Sequence, residues 1–199
     1  TMTPISKMDW DIIDARVAKA CDRHQFQKKT VGFLSIVIDQ LFPGHEDQLQ
    51  EIITDGPEDK GVDAIHIVEA ESSAEVFLLQ SKYRESHSTC HKTINDAEVL
   101  KISLFLNELF DKASGLATNG NFQLREAVER IWELHDKGKI CRYKVIFCSN
   151  GSGFSTSAQG IIDSVKASHS SVSFEFYSGH DVVQAMAIEG RDAEDGQLQ

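Results

Sequence analysis

Two runs rich in β-branched and aromatic residues, Val62–Val68 and Val76–Tyr83, stand on either side of the short polar stretch Glu69–Glu75. A connection that short turns the chain back on itself, so the pattern predicts an antiparallel hairpin. Everything else in the chain must pack around it. Upstream, Met8–Lys28 carries Ile12, Ile13, Val17, Ala20 and Cys21 at helical spacing. Thr30 is placed to cap a second helix bearing Phe33, Leu34, Val37, Ile38 and Leu41, which Pro43-Gly44 ends. Leu49–Thr54 reads as a short strand and Asp55-Gly56-Pro57 as a turn. Downstream, Thr93–Lys112 and Phe122–Lys137 are helices, with Gly138 closing the second. Tyr143–Cys148 is a buried strand, Ser157–Ser168 a helix and Val172–Tyr177 a last strand. The expected class is α/β: a mixed sheet with an antiparallel hairpin first and crossover strands after it, flanked by helices. Residues 1–189 are expected to form a single domain, and the polar residues 190–199 a flexible tail.

The balance of 20 Lys and Arg against 31 Asp and Glu, a net charge of −11, removes any global attraction for nucleic acid. Between Glu46 and Glu75 ten acids face a single base, Lys60. A polyanion would have to meet a local basic patch or a bound cation. No apolar run has the ~20 residues of a membrane span and there is no signal peptide, so a cytoplasmic protein without membrane contact is expected. The four cysteines, Cys21, Cys90, Cys141 and Cys148, form no CxxC pair and no zinc-finger spacing, so free thiols are expected.

Strand parity then gathers chemistry. Residues i and i+2 share one face, so Gln80 and Lys82 point together. Folding the hairpin about Ser72 sets Asp63 opposite Gln80–Lys82, to within a register step. One carboxylate, one amide oxygen and one ammonium then meet beside the irregular Asp55–Gly61 loop. Asp63, the Gln80 side chain and the Ser81 backbone carbonyl offer oxygen ligands to a hard cation such as Mg²⁺. Lys82 is placed to stabilise developing negative charge. An exposed cross-strand Asp–Lys pair worth ~0.2–1 kcal/mol satisfies the same parity.

The wording around the hairpin adds to this. Gly61-Val62-Asp63-Ala64-Ile65, followed after a loop by Leu78-Leu79-Gln80-Ser81-Lys82-Tyr83, resembles the PD-(D/E)XK motif of restriction-endonuclease-like nucleases in its Asp…Gln-X-Lys form. That form is known from Mrr-like nucleases and the N-terminal part of the AIPR abortive-infection, or phage-resistance, proteins. Thr54–Lys60 resembles their Gly/Asp-rich lead-in, and the match is firm over Ile53–Arg84. The resemblance implies a restriction-endonuclease-like core and a Mg²⁺- or Mn²⁺-dependent endonuclease. It implies Asp63 and Gln80 as metal ligands and Lys82 as the catalytic lysine. Gln80 replaces the commoner Glu and weakens cation binding, so a helical acid is needed to compensate, and Asp39 is the best match. Asp55 and Asp59 are lesser candidates. The implied substrate is nucleic acid, DNA ahead of RNA, in defence against phage or foreign DNA. The alternative is an inactive nuclease-fold module for binding or assembly. A homodimer, and a further C-terminal domain in a longer protein, fit the resemblance as well.

Arg84, Lys92 and His87, with His91, extend a strip past the hairpin that suits a phosphate backbone, and Tyr83 could add an aromatic contact. Asn150-Gly151-Ser152-Gly153 is expected to be a flexible loop after its strand, because no GK[ST] follows to make it a phosphate loop.

Overall fold

The computed structural model describes residues 2–197. Helices α1 (Lys7–His24) and α2 (Lys29–Leu41) come first, then the single turn α3 (Leu49–Ile52). The hairpin strands β1 (Ala64–Glu69) and β2 (Ser73–Lys82) follow. Three helices, α4 (Asp96–Phe110), α5 (Ser114–Asn119) and α6 (Phe122–Asp136), lead to β3 (Ile140–Ser149). Helix α7 (Thr156–Ser168), strand β4 (Val172–Ser178) and α8 (Gly179–Gln197) complete the described chain.

The sheet order is β1-β2-β3-β4. The hairpin is antiparallel, with Ala64 opposite Leu79 and Glu69 opposite Ala74. β3 and β4 add in parallel, so each is reached through a helical crossover, as α/β connectivity requires. This is the mixed α/β sheet the sequence predicts. Alternation along the strands splits the core in two. Ile65, Val76, Leu78, Val145 and Phe147 face one layer, filled by α4, α6 and α7 through residues such as Phe105, Leu106 and Val128. Ala64, Leu79, Ile146 and Cys148 face the other, filled by α1, α2 and α8 through Val17, Phe33, Val37 and Val182. Val145–Ser149 is buried throughout because β3 is covered on both faces.

Several expectations need correction. Leu49–Thr54 is not a strand: Leu49 and Ile52, three apart, both bury into the second core as one helical turn, and only Ile53 bridges to Ala64. Thr30 does not cap α2. The helix starts at Lys29, and the Lys28 carbonyl serves the first amides, including Val31 N at 3.1 Å. The tail expected at 190–199 is helical as far as Gln197, because α8 continues; no proline interrupts it, and a nucleated helix propagates cheaply. All four cysteines are free. Among the described residues, no helix is long and apolar enough to cross a membrane.

One side chain ties the helical layer to the loop ahead of β1. Asn121 caps α6 by accepting from Leu124 N at 2.9 Å, and its Nδ2 donates to the Thr54 carbonyl at 2.6 Å. Asn121→Ala is expected to cost about 1–2 kcal/mol, seen as a lower urea midpoint with unchanged m-value.

Candidate active site

The hairpin register ends with Ala64 opposite Leu79, and Asp63, the residue before it, lies beside the Leu79–Ser81 stretch. Asp63 lies just outside β1, and its backbone is bound on both sides. Its N–H donates to the Leu79 carbonyl at 2.8 Å, and its carbonyl accepts from Thr54 N and Asp55 N at 2.8 and 3.0 Å. Its carboxylate Oδ2 accepts from Ser81 N at 2.8 Å. In a strand the N–H and C=O of one residue point to the same side. The Ser81 carbonyl therefore points along the edge that Asp63 occupies, as a backbone ligand would need.

The loop before Asp63 is shaped by Asp59, whose Oδ1 accepts from Gly61 N at 2.9 Å. Gly61 has φ +81°, and a Cβ there would lie 2.7 Å from the Lys101 side chain, so only glycine fits. This geometry brings carboxylate oxygens of Asp55, Asp59 and Asp63 within 4.8 Å of one another. Burial pushes the Asp63 carboxyl up to about 8, with Asp59 and Asp55 adding to the rise and the Ser81 amide opposing it. Beneath the site the fully buried Cys148 thiol is pushed up to about 12 by burial, with Asp63 contributing.

Gln80 is 6% exposed. Its Nε2 donates to Glu98 Oε2, and its Oε1 is buried with no hydrogen-bond partner among the described residues. Lys82, half exposed, brings Nζ to 4.0 Å from the other Glu98 oxygen. Glu98 is the acid that the sequence reading missed. It sits in the first turn of α4, where the Asn95 side chain caps its N–H at 3.3 Å. The available signal was Asn95-x-x-Glu98, a helix-start pattern that places the acid at N3.

Asp39 is not that acid. α2 packs on the opposite face of the sheet from α4, and Asp39 lines a separate cavity with Arg16, Arg23, His24 and Glu46. Burial raises its carboxyl, with Glu46 adding to the effect.

The basic strip is largely assembled. Lys82, Arg84, His91, Lys92, Asn95 and Glu98 line a cleft of about 470 Å³ beside the hairpin end. Arg84 is clamped by Asn150, which accepts from its N–H at 2.6 Å and donates to its carbonyl at 3.0 Å. The guanidinium donates through Nη2 to the Thr93 carbonyl at 3.0 Å. His87 does not join, since its Nε2 pairs with the Ile5 carbonyl at 2.8 Å. Tyr83 is turned into the second core and donates to Asp14, so it has no face for a base. The 150–153 segment is not the loose loop expected: Asn150 and Ser152 are buried, and Ser152 donates to the Cys90 carbonyl at 2.9 Å. A Cβ on Gly151 would lie 2.9 Å from the Lys92 carbonyl and 3.1 Å from Arg84 Nε, so glycine lets three segments close together.

The donor set fits a hard divalent cation. Asp63, the Gln80 oxygen without a partner among the described residues and the Ser81 carbonyl all offer oxygen, the donor a hard cation takes, and Asp55 and Asp59 lie within reach of Asp63. No protein-family model, curated protein or solved structure matches this chain.

Proposed function

We propose that this chain is a divalent-metal-dependent nuclease domain that hydrolyses phosphodiester bonds, with DNA ahead of RNA as substrate. The observation that carries the reading is the junction at the end of β2. There the Asp63 carboxylate accepts from Ser81 N, the neighbouring Gln80 keeps a buried oxygen without a partner among the described residues, and Lys82, next along the strand, lines a basic cleft. The resemblance of the hairpin wording to PD-(D/E)XK nucleases of the Mrr-like and AIPR kind supports the same reading, and with it a role in defence against phage or foreign DNA.

Asp63, Gln80 Oε1 and the Ser81 carbonyl would hold Mg²⁺ or Mn²⁺. The bound cation supplies Lewis acidity to the phosphate and lowers the pKa of water. Lys82 presents its ammonium where negative charge develops, held toward the site by Glu98. Arg84 and Lys92 bind the flanking backbone phosphates, and Asn150 fixes Arg84 for that task.

The test is cleavage of supercoiled plasmid and of labelled single-stranded DNA and RNA with Mg²⁺, Mn²⁺ or chelator. Metal-dependent cleavage is expected, and none with chelator; tight substrate binding in chelator with no cleavage under any cation would support an inert binding module instead. A second expectation concerns the cleft. Arg84→Ala and Lys92→Ala should each weaken oligonucleotide binding in Ca²⁺, and each should lower the slope of log K against log salt by about 1. Fluorescence anisotropy across a salt series measures both.

A further inference from the structure

A glutamine amide has one end that can ligate a cation and one that cannot. Its oxygen offers lone pairs, whereas its NH₂ presents two hydrogens. Rotating the terminal torsion by half a turn exchanges the ends at almost no steric cost, so a glutamine ligates reliably only if something else holds its NH₂. In this site Glu98 does so. A carboxylate accepts and cannot donate, and Glu98 Oε2 takes Gln80 Nε2. The opposite end of the amide, Oε1, is then left buried with no donor among the described residues. The Ser81 N–H, the backbone donor at this end of the strand, is already given to Asp63. Leaving a buried oxygen unpaired is costly unless it is kept for a ligand.

Glu98 is itself rigidly placed. Asn95 caps its amide, and α4 begins where Ile94 N donates to the Gly153 carbonyl at 2.9 Å and Ser155 N donates to the Ile94 carbonyl at 3.0 Å. Asp96, in the same turn, accepts from Ser157 Oγ at 2.6 Å. The start of α4 is thus pinned to the segment that follows β3, and β3 is the strand paired with β2. The helix carrying Glu98 and the strand carrying Gln80 are two sides of one rigid frame.

We propose that Glu98 is a positioning residue that holds the Gln80 amide with Oε1 turned to receive a divalent cation beside Asp63, so that a neutral side chain serves as a metal ligand. The proposal rests on the metal-dependent reading above. It assigns Glu98 a role as hydrogen-bond acceptor, which a glutamine at 98 can still fill and an alanine cannot.

The experiment is calorimetric Mn²⁺ titration of wild type, Glu98→Gln and Glu98→Ala, each first checked for folding by far-UV circular dichroism. It is paired with ¹⁵N NMR of the Gln80 side-chain amide in cation-free protein. Glu98→Gln is expected to keep Mn²⁺ affinity within about threefold, whereas Glu98→Ala should lose about tenfold or more, the worth of one hydrogen bond to a charged group. The Gln80 NH₂ resonances should be dispersed in wild type and in Glu98→Gln, and collapse toward free-amide positions in Glu98→Ala. Equal Mn²⁺ affinity in wild type and Glu98→Ala overturns the proposal, and so does a loss in Glu98→Gln as large as in Glu98→Ala, which would make the charge itself the contribution. Absence of Mn²⁺ binding in wild type overturns the proposal together with the metal-dependent reading. Normal Mn²⁺ binding with a free Gln80 amide in wild type overturns the positioning role alone.

Discussion

Lys82→Ala is expected to reduce cleavage by about 10²-fold or more while leaving Mn²⁺ binding, and oligonucleotide binding in Ca²⁺, within about threefold of wild type. The ammonium stands at the end of β2, half exposed and 4.0 Å from Glu98, so its removal opens no cavity and unpairs no buried group. Under the proposed nuclease reading, its contribution is confined to charge that appears only as the phosphodiester bond breaks. Lys82→Arg should restore little, because a planar guanidinium cannot put its charge where a flexible, compact ammonium does. Single-turnover cleavage alongside the two binding titrations separates these effects. Equal cleavage by wild type and Lys82→Ala would assign the activity to another site.

The second large effect is a dependence of stability on pH and cation that Asp63 controls. Its carboxyl sits at about 8 in the folded protein, against 3.8 as the ordinary value, chiefly through burial and then through Asp59 and Asp55. Between those limits the folded protein holds a proton that the unfolded chain has lost. The stabilising contribution is therefore complete below the ordinary value, and is lost as pH rises through the folded one. Asp63→Asn keeps an acceptor for Ser81 N–H and removes the charge. It should flatten that slope, and raise cation-free stability at pH 8 by ~1–2 kcal/mol. A divalent cation should do the same for wild type, more at pH 8 than at pH 6 because it must displace the proton, and should do nothing for Asp63→Asn. Thermal denaturation at pH 5, 6 and 8 with and without Mn²⁺ measures all of this. A flat wild-type profile, or an equal cation response in the variant, would contradict the assignment.

The centre of the site was legible because it lies on or next to the hairpin strands. A period of two and a short connection leave one register that buries Ile65 against Leu78, and that register brings Asp63, just ahead of β1, to the Leu79–Ser81 stretch. The same local logic gathered Arg84, His91 and Lys92, which follow β2 within a few residues. What failed depended on which helix lies over which face. Asp39 and Glu98 are both helical acids, and sequence spacing does not say that α2 covers one side of the sheet and α4 the other. His87 and Tyr83 failed for a related reason: each is claimed by a partner on the N-terminal segment, Ile5 and Asp14, far away in sequence. Helix α8 was missed because Val182 and Met186, its buried contacts, are followed by an acidic, glycine-containing stretch that reads as solvent-facing.

The parallel pairing of β2 with β3 has a consequence for biosynthesis. Asp63, Gln80 and Lys82 are all made by the time the hairpin emerges from the ribosome, yet a lone two-stranded hairpin is marginal in water. The contacts that set the junction arrive much later: Asn150 on Arg84, Gly151 against Lys92, and Gly153 with Ser155 on Ile94. Until the chain has grown past Ser155, Glu98 has no fixed place and the basic cleft has no back wall. If the proposed nuclease reading holds, a nascent chain surrounded by the cell's own RNA carries the site residues unassembled, and the long sequence separation of one strand pair delays that chemistry.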